Sequence, residues 1–447
     1  MFYFLLDGPV IAPRRLVKGI VMQFVAEMNH QKRLIDQFLE VRHKTELLCG
    51  PLTLEDMVVS TSQDTSPPKW HLAHTTWFFE NFLLKPFQKN YQPFNTLYSN
   101  IFNSYYLAVN TPLEKSKRSF LSRPTSQEII NYRRHVEREV QTLAHLNLEA
   151  WEEISQILEL GISHEEQHQE LLLMDIKQNF FNNPLHPHYE SRQHLETFSE
   201  YSAQEWIDFD ECLVEIGVSH TEKKFAYDNE KDRHKVWIEP FLLSSHLVTN
   251  GDYLNFIHDG GYRRREFWSA EGFHWVNENN IKRPLYWIER DGEYWEFSLY
   301  GENPLNLESP VSHVSFYEAQ AYASYMKSRL PTEAEWELAS QREPLAGQFL
   351  EDEFYLPDVA QENYQFFSQI HGSLWEWTSS SYAPYPRFHP YPGDMSEYNS
   401  KFMNQQYVLR GGSCITPQSH YRRTYRNYYY PQMRWQFCGI RLAKDKL

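Results

Sequence analysis

The hydrophobic pattern of this chain changes near residue 181, and that change constrains the fold more than any other feature of the sequence. Before it, apolar residues recur with the period of an α-helix. The four longest segments of this kind are 28–49, 66–83, 124–143 and 148–181. After it, short alternating segments such as 214–216 and 236–238 are typical of strands, and Gly and Pro mark the turns. The sequence therefore predicts an α+β protein in which a four-helix bundle precedes a domain rich in strands.

The boundaries of these parts follow from the same patterns. Asn182-Asn183-Pro184 end the last helix, and the polar stretch after them has no apolar period. The N-terminal residues carry no motif, so Met22 or Met28 could be the true start. The predicted segments are a disordered or over-called N-terminal extension over 1–27, the bundle over 28–182, a linker over 183–205 and the second domain over 206–447.

The bulk composition excludes several classes of protein. The formal net charge of −16 at pH 7 argues against nucleic-acid binding, which needs a basic surface. The mean hydropathy is −0.64, and no apolar run approaches the length of a membrane span. The 4 cysteines form no CxxC pair, so neither a zinc knuckle nor a dense disulfide framework is indicated. We therefore expect a reducing, cytoplasmic setting.

Two histidine-bearing strings are the strongest functional signal. The string HEEQHQE at 164–170 lies in the last helix, where His164 and His168 share one face because they are four residues apart. A third histidine from another helix would complete three metal ligands and leave positions open for substrates. The string WHLAH at 70–74 supplies two candidates. The alternative is a chance spacing on a solvated helix, since the chain has 20 histidines.

An ordered series of strings marks the C-terminal half. They are PVSHVS at 310–315 with Glu318-Ala319, RLPTEAEWE at 329–337, HGSLWEWT at 371–378, RGGS at 410–413 and GIRL at 439–442. This series resembles the formylglycine-generating-enzyme-type domain, a variant of the C-type-lectin fold, in which most of these Trp and Glu residues build the scaffold. True formylglycine-generating enzymes have two catalytic cysteines where this chain has Thr416 and Tyr421. The resemblance therefore implies the fold and argues against oxidation of a protein cysteine.

The N-terminal half is similar to the DinB-like bundle, whose metal-binding members use three histidines. The two halves in this order resemble the ergothioneine-biosynthesis sulfoxide synthases (the EgtB family). The strings that carry this resemblance are PPKWHLAHT at 67–75, FNSYY at 102–106, LSRP at 121–124, HEEQHQE at 164–170 and YRNY at 425–428. The resemblance extends from about residue 30 to the end of the chain.

The resemblance implies an O2-dependent, non-heme Fe(II) enzyme. This family joins a thiol to the imidazole of Nα-trimethyl-histidine (hercynine) and forms a sulfoxide. Carried over residue by residue, the iron ligands are His74, His164 and His168, which agrees with the affinity of imidazole for iron. His71 is then assigned to packing or to a place behind the ligands. Solvated helix charge is expected for at least two of the acidic residues beside the ligands, Glu165, Glu166 and Glu170.

A proton donor is expected among the tyrosines, because sulfur transfer with O2 consumes protons near the metal. One branch of the family places this tyrosine in the C-terminal domain, at a position that falls on Met395 here. Another branch has adjacent tyrosines in the FNSYY string, and this chain supplies them as Tyr105 and Tyr106. The resemblance thus implies one of this pair as the catalytic donor. Two tyrosines that merely pack in the core are the alternative.

Both substrates carry charged groups that need partners. The trimethylammonium of hercynine favours an aromatic or polar cage, and the carboxylate of the thiol favours an arginine. The resemblance implies Asn427 and Tyr428 as substrate-binding residues, with Gln167 and Tyr398 as further candidates. The arginines considered are Arg118, Arg123, Arg423 and Arg426, of which Arg123 and Arg426 are assigned to substrate binding.

Free L-cysteine is the predicted thiol substrate, with hercynine and O2 as the others. Where the γ-glutamylcysteine branch has an aspartate, two residues after the asparagine, this chain has Tyr429. Four alternatives stay open: a selenoneine synthase with a selenosugar donor, a γ-glutamylcysteine-dependent hercynine oxygenase, a zinc-dependent thiol transferase, and a binding protein without chemistry. A 5-thiohistidine synthase is disfavoured, because no methyltransferase domain follows in the sequence.

Overall fold

A computed structural model describes residues 12–107, 109, 111–146, 149–191, 204–222, 224–357, 359–360 and 364–446. The helices are α1 Ala12–Leu48, α2 Pro68–Phe79, α3 Lys85–Phe87, α4 Tyr98–Ile101, α5 Ser126–Leu146, α6 Trp151–Phe181, α7 Asn250–His258, α8 Ala270–Glu278, α9 Phe316–Tyr325 and α10 Glu333–Ser340. The strands are β1 Trp206–Phe209, β2 Cys212–Ile216, β3 His234–Ile238, β4 Phe241–Ser244, β5 Trp287–Arg290, β6 Glu293–Ser298, β7 Gly301–Pro304, β8 Trp375–Ser381, β9 Tyr407–Arg410, β10 Asn427–Tyr429, β11 Cys438–Gly439 and β12 Ala443–Asp445.

The N-terminal half is a bundle of four long helices. α1 packs along α6 and against α5, and α2 packs between α5 and α6. Pro68 occupies the first turn of α2, where its missing N–H costs no hydrogen bond. Every residue of α2 is buried, because other elements cover this helix on all sides. The predicted order of a helical bundle followed by a domain of mixed helix and strand is confirmed.

The first helix begins earlier than the sequence analysis predicted. α1 starts at Ala12, whereas an extension without helical structure was expected over 1–27. The sequence contains a signal for this helix: Leu16, Val17, Ile20 and Val21 recur at helical spacing. Residues 1–11 of the expected extension lie outside the described residues.

A glycine sets the distance between the two helices that carry the histidine strings. Gly161 faces the rings of Phe78 and Phe79, and a Cβ at this position would collide with the Phe79 ring. Without a side chain there, α2 and α6 can approach closely just one turn before His164. A glycine inside a helix destabilises it by about 1 kcal/mol relative to alanine, and the close contact requires glycine here despite this cost.

The C-terminal domain contains four small sheets with the strand orders β1-β4-β12, β10-β9-β8-β11, β2-β3 and β5-β6-β7. Motif residues build its core, as the resemblance implies. Glu376 accepts hydrogen bonds from Arg441 and from the indole of Trp336, and all three side chains are fully buried. The edge strand β10 pairs with residues Tyr407–Leu409 of β9, and its residues line a cavity that faces the bundle. Most of the predicted linker, residues 192–203, lies outside the described residues.

Helix α6 forms much of the interface between the two domains. Glu170 accepts hydrogen bonds from Trp375 and Thr416, and Lys177 donates to Nε2 of His313. The sequence analysis predicted that at least two of the three acidic residues beside the histidines are solvated. This prediction is wrong, since Glu165, Glu166 and Glu170 are all buried. Among the described residues, no helix is long and apolar enough to cross a membrane.

Candidate metal centre

Three buried histidines converge where α2 meets α6. His74 lies on α2, and His164 and His168 lie one turn apart on α6. One nitrogen from each of these rings lies within 4.8 Å of the others, which is close enough for a single ion to bind all three. In the part of the chain that the structure describes, no other group of three His, Cys, Asp or Glu residues meets this criterion. The structure thus brings together the three predicted ligands.

Hydrogen bonds orient two of these rings with Nε2 available. Nδ1 of His74 lies 2.6 Å from the carbonyl oxygen of Phe102, so this nitrogen donates and Nε2 keeps its lone pair. Nδ1 of His168 lies 2.8 Å from Nδ1 of His71, which again leaves Nε2 unengaged. Nδ1 of His164 has no hydrogen-bond partner among the described residues. Three imidazole nitrogens, and no carboxylate, make up the group of possible metal ligands among the described residues.

Burial keeps all three histidines neutral. It lowers the pKa of His164 to about 3, although Glu165 opposes this shift. It also lowers the pKa of His74 and His168 well below the ordinary value, and repulsion from His164 adds to the effect there. Aromatic rings provide this apolar shell: Trp70 stacks on His74 at 4.5 Å between ring centroids, and Phe78 lies 4.8 Å from His164. Neutral imidazole is the form that binds a divalent metal, so the site is ready for an ion without losing protons.

A cavity of about 400 Å³ opens beside the histidines and is lined by both domains. Its charged residues come mainly from the bundle, and its aromatic residues come mainly from the C-terminal domain. The lining residues are Asp64, Ser66, Trp70, His71, His74, Ser104, Tyr105, Lys115, Arg118, His164, Gln167, His168, Leu171, Asp175, Tyr398, Phe402, Gln406, Asn427, Tyr428, Tyr429, Tyr430, Met433 and Trp435. This volume suits two small polar molecules beside a metal ion.

Four of the predicted substrate-binding residues line this cavity. Tyr398 donates from its hydroxyl to Oε1 of Gln167 at 3.1 Å, and its ring lies 5.7 Å from that of His164. Asn427 and Tyr428 follow each other on β10. The Tyr428 ring stacks on Tyr382, 3.9 Å away, which holds it against the cavity wall.

The two predicted catalytic tyrosines occupy different places. Tyr105 lines the cavity, whereas Tyr106 is fully buried behind it against Trp77 and Phe82. The hydroxyl of Tyr105 donates to that of Tyr106 at 3.4 Å, so a hydrogen bond joins the buried tyrosine to the one that lines the cavity. Burial raises the pKa of Tyr106 well above its usual value, which keeps the phenol protonated.

Tyr398, predicted above as a substrate-binding residue, also lies beside one of the three histidines. The family position that falls on Met395 lies outside the cavity wall, but one turn later Tyr398 reaches the metal ligands. The amide N–H of Tyr398 donates to the carbonyl of Met395, so both residues belong to the same short turn. The cavity beside the histidines is therefore lined by tyrosines of both domains: Tyr105 from the bundle, and Tyr398, Tyr428, Tyr429 and Tyr430 from the C-terminal domain.

Neither Arg123 nor Arg426, the two arginines predicted to bind substrate, lines this cavity. Arg426 is fully buried away from this cavity, where it forms a bidentate pair with Glu333. Arg123 is exposed and donates only to the adjacent carbonyl of Ser122 among its described contacts. A charged group already engaged in a buried pair, or pointing to solvent, does not bind a substrate carboxylate in the cavity.

Arg118 is the arginine that lines the cavity. Its guanidinium lies 3.5 Å from the centre of the Trp70 ring and donates to Oγ of Ser66 at 3.0 Å. Nε has no hydrogen-bond partner among the described residues. Burial lowers the pKa of Arg118 to about 9, and the nearby carboxylate of Asp175 opposes that shift, so the side chain remains cationic at neutral pH. The unused donor of this buried cation fits a carboxylate.

Asp175 is a further cavity residue that the sequence analysis did not single out. It lies seven residues after His168 on α6, which is two helical turns along the same face. This spacing could have predicted Asp175 as a cavity residue, because side chains seven positions apart lie on the same face of a helix.

Glu170 joins the metal-binding helix to the C-terminal domain. Its carboxylate accepts from Nε1 of Trp375 at 2.6 Å and from Oγ1 of Thr416 at 2.7 Å. Thr416 is the residue at the position of the first catalytic cysteine of true formylglycine-generating enzymes. Burial raises the pKa of Glu170 to about 7, because these neutral donors only partly replace water.

Replacing Glu170 with Gln should stabilise the protein above neutral pH. Since the folded state raises this pKa, it binds more protons than the unfolded state between about pH 4.5 and 7, and stability falls as pH rises through that window. Gln carries no such charge and can still accept from Trp375. The free energy of unfolding of Glu170→Gln should exceed that of the wild type by on the order of 1–3 kcal/mol at pH 8 and by little at pH 4. Denaturant titrations across pH 4–8 measure this.

The control is Glu165→Gln on the same helix. Arg133 and Arg42 overcome the effect of burial and hold the pKa of Glu165 at about 2. This carboxylate therefore stabilises the fold above about pH 4.5, and the stabilisation is lost as pH falls toward 2. Glu165→Gln should destabilise the protein at pH 8. Equal pH profiles for the two variants would contradict the assignment.

Comparison with family models covers nearly the whole described chain. The model of the sulfatase-modifying factor enzyme 1-like domain matches residues 199–366 and 358–446, together more than half of the 447 residues. The chain belongs to this sulfatase-modifying factor enzyme 1-like family. The model of the DinB superfamily matches residues 37–172, which include all three histidines. This pair of domains confirms the resemblance to EgtB-type proteins.

The chain is also similar to curated proteins whose names refer to hercynine or to ergothioneine biosynthesis. Hercynine oxygenase from Mycobacterium tuberculosis is 32% identical over 252 residues, which cover 52% of this chain and 58% of that protein. Hercynine oxygenase from Mycolicibacterium thermoresistibile is 33% identical over 256 residues, covering 52% of this chain and 56% of that protein. Ergothioneine biosynthesis protein 1 from Schizosaccharomyces pombe is 30% identical over 237 residues, covering 49% of this chain and 28% of that protein. The matched region spans less than two thirds of each of these relatives.

Proposed function

We propose that this protein is an O2-dependent, iron(II)-containing sulfoxide synthase that joins hercynine to L-cysteine in ergothioneine biosynthesis. The observation that carries the proposal is the cavity at the domain interface, where three neutral histidines face an arginine and a set of tyrosines. The names of similar proteins, hercynine oxygenase and ergothioneine biosynthesis protein 1, support the same activity.

Ferrous iron fits the donor set better than zinc does for this reaction. Three imidazoles suit either metal, and a three-ligand site leaves coordination positions for substrates. Zn²⁺ has no redox chemistry, whereas an oxygenase must transfer electrons to O2. When bound, iron(II) would provide a redox-active centre through which electrons pass from the substrates to O2, and a binding position for the thiolate.

The proposed reaction is balanced without another reductant. The S–H bond of cysteine and one imidazole C–H bond of hercynine break, and a C–S bond forms. One oxygen atom of O2 becomes the sulfoxide oxygen, and the other leaves as water with the two hydrogens. The protein must therefore bind both substrates side by side and deliver a proton to the oxygen that leaves as water.

Residues of the cavity are suited to these tasks. The guanidinium of Arg118 would bind the carboxylate of cysteine, because it is the buried cation with an unused donor on the cavity wall. Gln167 and Asn427 offer amide groups to hercynine, and the ring of Tyr398 offers a face for the trimethylammonium. The Tyr105 phenol would supply the proton, with Tyr106 in hydrogen-bond contact behind it.

The test begins with metal-free protein that is loaded with Fe²⁺ or Zn²⁺ without oxygen. Hercynine and cysteine are added, ¹⁸O2 is admitted, and the products are identified by mass spectrometry. We expect a sulfoxide that carries one ¹⁸O atom, from the iron-loaded protein alone. Equal thioether formation by the zinc-loaded protein without O2 would identify a thiol transferase instead. Product only from a selenosugar donor would identify a selenium-transferring relative.

The choice of thiol depends on Tyr429. This residue lines the cavity from β10, and its hydroxyl contacts Sδ of Met174 at 3.9 Å. A phenol at this position offers no charge to the free ammonium group of a γ-glutamyl donor and takes up the room that the donor needs. Cysteine should therefore be preferred over γ-glutamylcysteine by about ten- to a hundredfold, the value of one charge-assisted contact of about 1.5–3 kcal/mol.

Competition between equal concentrations of the two thiols measures this preference as a ratio of sulfoxide products. Tyr429→Asp should shift the ratio toward the γ-glutamyl product. Tyr294→Asp adds the same charge on β6, at a residue that does not line the cavity, and should leave the ratio near that of the wild type. Predominant γ-glutamyl sulfoxide from the wild type would reverse the assignment of the thiol.

A further inference from the structure

A chain of hydrogen bonds leads from one metal ligand into the protein. Nδ1 of His168 lies 2.8 Å from Nδ1 of His71, and Nε2 of His71 lies 3.0 Å from Oδ2 of Asp175. All three side chains are buried, and they come from α2 and α6. His71 thus has both ring nitrogens engaged, which leaves it neither free to bind a metal nor merely packed.

The carboxylate at the end of this chain is itself held from two directions. The backbone N–H of Ser66 donates to Oδ2 of Asp175 at 2.8 Å, and Nε1 of Trp435 donates to Oδ1 at 3.2 Å. Both of these groups can only donate, so Asp175 acts only as an acceptor. Trp435 belongs to the C-terminal domain, and the position of the carboxylate therefore depends on how the two domains pack together.

The direction of each hydrogen bond follows from this acceptor. His71 must donate from Nε2 to Asp175, and a neutral imidazole then presents a lone pair at Nδ1. His168 must in turn donate from Nδ1 to His71. With a neutral His71, the tautomer of His168 that satisfies these contacts carries its proton on Nδ1 and its lone pair on Nε2.

We propose that His71 and Asp175 are positioning residues that fix the tautomer and the ring orientation of the ligand His168. The inference rests on the proposed metal site and deepens it. The other ligands have different support: His74 donates to a backbone carbonyl, and Nδ1 of His164 has no partner among the described residues. His168 is therefore the ligand whose orientation is set by side chains and, through Trp435, by the C-terminal domain.

Binding of Co²⁺ alone provides a test that needs no turnover. Wild type, His71→Leu and Asp175→Asn are titrated with Co²⁺ against a competing chelator, and the visible absorption of the bound ion is recorded. Loss of such an outer partner typically weakens metal affinity by about 10–100-fold, so we expect that loss in both variants together with an altered spectrum. Asn179→Ala is the matched control, since Asn179 is buried on α6 and forms hydrogen bonds with Thr61 but not with His71 or Asp175.

Chemical rescue separates positioning from a purely structural role. His71 lines the cavity, so the space left by His71→Gly is open to added imidazole. Imidazole should restore the affinity and spectrum of His71→Gly but not those of His71→Leu, whose side chain fills the space. Wild type with imidazole controls for direct binding to the metal, and thermal unfolding verifies that each variant folds.

The outcomes separate this inference from the proposed function. Wild-type affinity and spectrum in His71→Leu would overturn the positioning role while leaving the metal site intact. A loss of affinity that is equally large in Asn179→Ala and is not rescued by imidazole would show that only stability is affected, and would also overturn it. Failure of the wild type to bind Co²⁺ would overturn the metal site itself.

Discussion

Replacing His164 with Ala should abolish tight metal binding and all turnover. The ligand atoms of His74, His164 and His168 lie within 4.8 Å of one another, and His164 contributes one of the three. Metal sites with four protein ligands bind zinc with about 10–16 kcal/mol of apparent free energy, so one ligand is worth on the order of 3 kcal/mol, or more than a hundredfold in affinity. Iron content after anaerobic loading and removal of excess metal measures the loss.

His74→Ala and His168→Ala should behave in the same way, whereas His71→Ala should retain part of its metal affinity. The reason is that His71 contacts His168 and Asp175 rather than the position between the three ligands. The variants should keep the circular dichroism spectrum of the wild type, because these side chains would bind the metal and are not needed to form the helices. Full iron content in His74→Ala, with complete loss in His71→Ala, would show that the third ligand was chosen wrongly.

Replacing Tyr105 with Phe should divert the reaction from sulfoxide synthesis to simple oxidation of the thiol. The metal ligands and the arginine that would bind the thiol remain, but the hydroxyl that reaches the cavity is lost. General acids contribute about 10²–10⁴-fold to rate, so sulfoxide formation should fall at least a hundredfold while O2 and cysteine are still consumed. Product ratios after single turnovers, measured by mass spectrometry, show the diversion.

Two further variants locate the donor. Tyr106→Phe should have a smaller effect on the product ratio, because its hydroxyl lies 3.4 Å behind that of Tyr105 and does not line the cavity. Tyr398→Phe removes the hydroxyl that donates to Gln167 and should weaken hercynine binding more than it changes the product ratio. Diversion in Tyr398→Phe alone would place the donor in the C-terminal domain, and wild-type ratios in all three variants would exclude a tyrosine donor.

The division of the chain and the metal ligands were predictable because their signals are local. The period of the apolar residues identifies a bundle before residue 181, and the spacing of His164 and His168 places both on one helix face in any straight helix. The motif around His74 pointed to the third histidine of the group. The part of α1 over residues 12–27 also has a local signal: Leu16 and Val17 are each followed by an apolar residue four positions later.

The surroundings of the metal site depend on contacts that no local pattern encodes. Arg118, Tyr398 and Tyr429 come from segments that lie far apart in the chain, and they share one cavity only after the second domain packs on α6. Packing within the C-terminal domain decides that Arg426 pairs with Glu333, although Arg426 adjoins Asn427 in sequence. A side chain's type and spacing determine which helix face it occupies, but the partner it meets depends on how the domains pack.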